Sequence, residues 1–168
     1  EFPWEGTMHM YGSVVTMAPN DVRIYYACNM LPRSSQNPFD GPSSCCVAVS
    51  TDGGNTFTKP MLEGSIPYAT WTKTNMVFTS GAGFFDSVFT LPASMAVAPP
   101  TGTPDGTRVI MAFDDGLTQA KERTLQLAYS ADGYTFTRLA PQLQPSLPIS
   151  FADTSVSLLY DPETSEFV

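Results

Sequence analysis

Two aspartates open matching stretches of the chain, Asp86 in Asp86-Ser87-Val88-Phe89 and Asp153 in Asp153-Thr154-Ser155-Val156. Carboxyl groups held at equivalent places can divide acid–base work, one kept protonated as acid and the other ionised as nucleophile or base. The competing reading makes both of them turn residues that lead the chain into a strand. Asp114-Asp115-Gly116 closes another expected strand, where Asp114 can supply a carboxylate or simply begin a turn. Three cysteines, Cys28, Cys45 and Cys46, leave at least one thiol free or paired elsewhere. Cys28 ends one expected strand and Cys45 and Cys46 open the next, so antiparallel pairing brings Cys28 within reach of one of the two. The alternative is three small buried hydrophobes. The sequence has no Gly-rich phosphate loop, no zinc-type Cys/His spacing and no Gly-x-Ser-x-Gly elbow, and no cofactor is expected.

The elements that would position these groups are visible as a repeat. Ser50-Thr51-Asp52-Gly53-Gly54-Asn55-Thr56-Phe57-Thr58 recurs, one residue shorter, as Ser130-Ala131-Asp132-Gly133-Tyr134-Thr135-Phe136-Thr137. Upstream, Arg23-Ile24-Tyr25-Tyr26-Ala27 aligns by residue type with Arg108-Val109-Ile110-Met111-Ala112, and Gly12-Ser13-Val14-Val15 with Asp86-Ser87-Val88-Phe89. A third copy starts at Asp153. Each unit reads as four short strands, over about 9–60, 75–139 and, incompletely, 150–168. The runs Ile24–Cys28 and Val109–Phe113 are apolar without strict alternation, which predicts sheets buried on both faces, as in stacked propeller blades. In the repeated turn, Asp52 and Asp132 are expected to accept backbone N–H bonds, the glycines to supply positive φ, and Phe57 to plug the core of its blade. Asn29–Ser44 and Ala93–Gly106, rich in proline, read as insertions, and Leu117–Arg123 is the only helical hint.

Composition narrows the classes. The chain has 168 residues, with 8 Lys and Arg against 16 Asp and Glu, a net charge of -8 that argues against nucleic-acid binding. Gly, Pro, Ser and Thr exceed a third of the residues, too much turn and β chemistry for a helical bundle. No stretch is long and apolar enough for a membrane-spanning helix. The fold expected is all-β, a single partial β-propeller domain of about two and a half four-stranded antiparallel blades. An open arc calls for further blades, from a longer chain or from a partner.

With these motifs in hand, the chain resembles the N-terminal half of five-bladed β-propeller glycosidase-like proteins, relatives of the invertase/fructanase and arabinanase/xylosidase families. The resemblance rests on Arg23 to Ala27, Val47 to Pro60, Asn75 to Phe78, Asp86 to Phe89, Ala128 to Gly133 and Asp153 to Pro162, and spans about Trp4 to Val168. It implies hydrolysis of a glycosidic bond in an oligo- or polysaccharide by inner-strand carboxylates facing a central funnel, with Asp86 and Asp153 as the catalytic pair. It also implies a funnel mouth near Trp4, Glu5, His9 and Tyr11, where aromatic rings pack on sugar C–H faces and polar groups bind hydroxyls, with Asp114 as a further contact. Where the family carries an acid in the first unit, the repeat alignment puts Gly12, and Glu5 or His9 would have to substitute. That departure supports an alternative, a non-catalytic extracellular propeller for glycan binding, adhesion or assembly. The Ser50–Phe57 box is also similar to the Asp-boxes of sialidases. Those enzymes need a cluster of arginines, whereas Arg23, Arg108 and Arg138 fall at strand ends. A secreted or extracellular location fits both main readings.

Overall fold

A computed structural model of the chain describes residues 2, 9–29, 43–66, 70–78, 89–101, 103, 105–116, 123–140, 148–149 and 157–168. The protein is all-β, with blade-like antiparallel sheets. Among the described residues there is no helix, and so none long and apolar enough to cross a membrane. The first sheet runs in chain order through β1 (His9–Ala18), β2 (Asp21–Asn29), β3 (Ser43–Ser50) and β4 (Met76–Phe78). The second runs through β5 (Phe89–Val97), β6 (Val109–Gly116), β7 (Arg123–Ser130) and β8 (Thr137–Arg138), with β9 (Pro148–Ile149) also pairing β7. A hairpin of β10 (Tyr160–Asp161) and β11 (Glu166–Phe167) follows.

The two-sided burial expected from the apolar runs is present. Tyr25, Cys45, Val47 and Val49 point to one face of the first sheet and meet Met95, Val109, Met111 and Phe113 of the second. Tyr26, Cys28, Cys46 and Ala48 point to the other face, where Phe2, Ile24 and Ile66 pack against them. Alternate residues of one strand thus feed two cores, which is why no polar stripe interrupts β2 or β3. Tyr25, Met111 and Phe113 have no exposed surface. Burial of side chains this size contributes about 2–3 kcal/mol each. Phe78 lies edge-on to Phe113, at 4.8 Å between ring centroids, and Tyr25 edge-on to Phe136 at 5.9 Å.

Polar contacts lock the same interface. Arg23 Nη1 donates to the Asp132 carbonyl at 2.7 Å, and Tyr25 Oη donates to the Gly133 carbonyl at 2.7 Å. The Arg23 guanidinium lies 4.0 Å from the centre of the Tyr134 ring and is held from behind by both Asp21 carboxylate oxygens. Burial works against the Arg23 charge, yet Asp21 and the neighbouring tyrosines more than offset it and leave its pKa raised. In return, Arg108 Nη2 donates to the Met17 carbonyl at 3.1 Å. The second repeated turn is therefore seated on the face of the first sheet.

Strand pairing corrects the repeat alignment. Val22 pairs with Ser50, and Val109 with Ser130, with no irregularity along either strand pair. Val22 is therefore the counterpart of Val109, and Arg23 of Ile110 rather than Arg108. A slip of two residues keeps every side chain on its face, so the apolar pattern could not reveal it. Ser13 pairs with Tyr25 and Ser94 with Ala112, so Ser13 answers to Ser94. Likewise Gly12, opposite Tyr26, answers to Pro92, opposite Phe113, and not to Asp86.

Other expectations also shift. Ala93–Val97, read as part of an insertion, belongs to β5, and Asn29, Ser43 and Ser44 belong to strands. Arg123, from the helical hint, opens β7. Phe57 is 38 % exposed and plugs no core, whereas its counterpart Phe136 packs between the sheets. The first outer strand is split: Thr58 bridges Val49, the chain leaves the sheet, and Met76 and Phe78 return beside Cys46 and Cys45. β8 and β9 divide the outer edge of the second sheet in the same way.

Candidate functional site

Four of the expected site residues, Trp4, Glu5, Asp86 and Asp153, lie outside the described residues. The backbone of the other three is placed. His9 opens β1 opposite Cys28, Tyr11 sits at the irregularity between Met10 and Gly12, and Asp114 lies in β6 opposite both Leu91 and Leu125. Arg108, just before β6 and beside the end of β5, reaches the Met17 carbonyl near the end of β1, so β1 and β5 run the same way and the start of β1 falls at the same end as the end of β6. The sheets are in contact through β1 and β5. The backbone thus brings His9, Tyr11 and Asp114 to one end of the stacked pair.

Gly12 has a packing reason to be glycine. A Cβ there would meet the Tyr25 carbonyl oxygen at 3.0 Å, beside the bulge at Tyr11. Bulges turn the chain at sheet edges and next to binding sites, and this one requires a close backbone approach.

His9 pairs with Cys28, and Thr90 with Asp115. Cys28 and Asp115 are counterparts because each faces the same position of its neighbour, Ser44 and Thr124. His9 therefore answers to Thr90. Glu5 precedes His9 by four residues and Asp86 precedes Thr90 by four. Counted this way, Trp4-Glu5-Gly6-Thr7 aligns with Phe85-Asp86-Ser87-Val88: an aromatic, an acid, a small residue. The residue-type alignment missed it because the shared Ser-Val pairs were more conspicuous.

A disulfide joins Cys28 to Cys46 across β2 and β3, with Cα atoms 5.9 Å apart, one of the two pairings the spacing allowed. It staples the first sheet near the end that carries His9. Cys45 is a free thiol on the opposite face, fully buried, and burial raises its pKa far above the ordinary thiol value. It is a packing residue, not a nucleophile.

Asp52 and Asp132 serve their turns, as expected. Asp52 Oδ1 accepts the N–H groups of Asn55 and Thr56 at 3.0 and 2.9 Å and the Ser50 hydroxyl at 2.6 Å, while Oδ2 accepts the Thr56 hydroxyl at 2.6 Å. The Ser50 hydroxyl, then the hydroxyl and backbone N–H of Thr56, hold the Asp52 pKa well below the carboxylate range. Asp132 Oδ1 accepts from Tyr134 N, Thr135 N and Ser130 Oγ at 2.7, 2.8 and 2.9 Å. Burial opposes ionisation of Asp132, but these three donors outweigh it and its pKa is lowered. Gly53, Gly54 and Gly133 adopt φ of 75°, 96° and 74°.

The arginines are occupied elsewhere. Arg23 and Arg108 bind across the sheet interface, and Arg138 Nε donates to Gln126 Oε1 at 2.6 Å. These three described arginines do not converge on one pocket. Among the described residues no group of three His, Cys, Asp or Glu side chains could hold a metal ion.

β1, β5 and the segment just before β10 meet. A cavity of about 540 Å³ is lined by Thr16 and Met17 of β1, Met95 and Val97 of β5, Leu158, and Tyr160 of β10. Leu158 N donates to Ser94 Oγ at 2.9 Å. This cavity lies at the end of β1 and β5 away from His9, and its walls are mainly apolar. Compared with known proteins, the chain matches no family model and no curated sequence.

Proposed function

We propose that the chain is part of a five-bladed, glycosidase-like β-propeller that cleaves a glycosidic bond in an oligo- or polysaccharide. Its carboxyl groups are Asp86 and Asp153, joined by Glu5. The observation that carries this reading is that His9 answers to Thr90 in the strand register, and the sequence has an acid four residues before each, Glu5 and Asp86. Asp153, in Ala152-Asp153-Thr154-Ser155-Val156, stands in the same context at the third unit. The cavity shared by β1, β5 and the segment at β10 supports an arrangement around an axis.

In such a site one carboxylic acid protonates the glycosidic oxygen as it leaves. A second carboxylate either attacks the sugar carbon or draws a proton from the attacking water. The third can orient a hydroxyl or hold the acid's pKa up by like-charge repulsion. The pair doing the chemistry must stand roughly 5–10 Å apart. Trp4 and Tyr11 suit the apolar face of a sugar ring, and His9 and Asp114 its hydroxyls. The Cys28–Cys46 disulfide supports an oxidising, extracellular setting.

The binding-only reading draws on the long Pro-rich loops and on Gly12, which in the strand register answers to Pro92 rather than to an acid. The test is turnover. The purified chain is assayed on a panel of neutral oligosaccharides, and Asp86→Asn, Asp153→Asn and Glu5→Gln are compared with Asp52→Asn. Loss of turnover in the first three but not in the turn variant supports the assignment. Unchanged turnover in Asp86→Asn removes it, and saturable glycan binding without turnover by the unaltered chain favours the binding module.

A further inference from the structure

We propose that the Cys28–Cys46 bridge is a site of thiol–disulfide exchange whose access is controlled by the arm from Lys59 to Ile66, so that a small thiol reduces it while the two sheets stay folded. Neither cysteine has any exposed surface, and both belong to the face of the first sheet turned away from the second. Of the side chains packed on that face, Ile24 and Met76 belong to strands, whereas Phe2 and Ile66 do not. Exchange requires a thiolate to reach one of the sulfurs, so its rate is set by how often this cover lifts.

The arm is held more lightly than the strands beneath it. Its end is fixed by the Ile66 N–H, which donates to the Met76 carbonyl at 3.2 Å, and by the Thr74 hydroxyl, which donates to the Ile66 carbonyl at 2.6 Å. The Ile66 side chain is only partly buried. By contrast, β2 is paired along its whole length with β1 on one side and β3 on the other. Lifting Ile66 breaks far less than parting β2 from β3, and local openings of that kind are visited much more often than the unfolded state. Once a thiolate enters, it attacks one sulfur, the S–S bond breaks, and the released cysteine thiolate takes a proton from water. A second thiol molecule then attacks the mixed disulfide, leaving two cysteine thiols and one small disulfide. Reduction unties β2 from β3 beside the pairing of Cys28 with His9, so that end of the sheet loosens first. Cys45 supplies an internal control. It neighbours Cys46 but lies in the core between the two sheets, where reagent arrives only when the sheets part.

The folded protein is incubated with dithiothreitol at pH 8, sampled over time, alkylated with iodoacetamide and weighed intact. The expected product is labelled at Cys28 and Cys46 and not at Cys45, with the strand circular-dichroism signal retained. Ile66→Ala should speed its appearance about tenfold or more by thinning the apolar cover. Thr74→Val, which deletes the hydroxyl holding Ile66, should speed it as well and serves alone if Ile66→Ala loses the strand signal. Guanidinium below the unfolding transition should change the rate little, because the opening exposes little surface. A bridge that stays intact in the folded chain overturns the proposal. So does labelling of Cys45 in step with the other two, or an unchanged rate in both variants. None of these readouts involves carbohydrate, so the outcome is separate from that of the hydrolytic reading.

Discussion

Substituting Gly133 tests the seat of the second turn on the first sheet. Gly133 has φ of 74°, and a Cβ there would lie 2.7 Å from both Arg23 Nη1 and Tyr25 Oη. Gly64 has nearly the same φ, 70°, with nothing within 4 Å of its would-be Cβ. Both alanine variants incur the left-handed backbone cost of about 1–2 kcal/mol. Only Gly133→Ala must also displace the two donors. It would then lose a charged and a neutral hydrogen bond, and leave partly buried carbonyls unpaired, for roughly 2–4 kcal/mol more. In a domain of this size that excess lowers the melting temperature by about 5–15 °C. Guanidinium unfolding followed by circular dichroism reads both variants on the same scale. Tyr25→Phe, which deletes only the hydroxyl, should fall between them, at about 1–3 kcal/mol. Equal destabilisation by Gly133→Ala and Gly64→Ala would refute the claim that this turn locks the two sheets.

Acid sensitivity follows from the same turn. Asp132 has a lowered pKa when folded, so its contribution is complete above the unfolded carboxylate value of about 3.9 and is lost as pH falls through the folded value. Stability should therefore drop on acidification below about pH 4, and Asp132→Asn should flatten that slope in a series of melts. For the cysteines, reduction or a paired Cys28→Ala, Cys46→Ala change should cost about 3 kcal/mol, as expected for a bridge across 18 residues. Cys45 should stay unalkylated by iodoacetamide in the native protein at pH 8 and react only on unfolding, as intact-mass measurement would show.

Much of the architecture is readable from residue types alone. Tyr25-Tyr26-Ala27-Cys28 and Val109 to Phe113 have no polar face, and both segments turned out to be buried on both sides. The Asp52 and Asp132 turns were readable because carboxylates, hydroxyls and glycines at that spacing have few other local uses. What escaped reading was register. Both strand-two segments begin near an arginine, yet Arg23 reaches across to the second turn and Arg108 reaches back to the Met17 carbonyl. The two arginines therefore do different work from positions that are not equivalent. Phe57 and Phe136 stand in the same motif, and only Phe136 has a neighbouring sheet to enter. Burial there is decided by what packs alongside, which no local pattern encodes.

That difference bears on how the units relate. If stacking were driven by the repeated motif itself, the seat residues would repeat along with the turns. They do not: Arg23 and Tyr25 give way to Ile110 and Ala112 while the Ser-x-Asp-Gly turn is kept. The turn is thus maintained for its own folding, through hydrogen bonds that Asp52 and Asp132 each close within their own loop. The seat is free to vary from unit to unit. A polar seat demands an aligned carbonyl pair and a glycine at the contact, as at Gly133, and an apolar seat demands only area. The contact between the two sheets is therefore selective in what it accepts, through Arg23 and Tyr25.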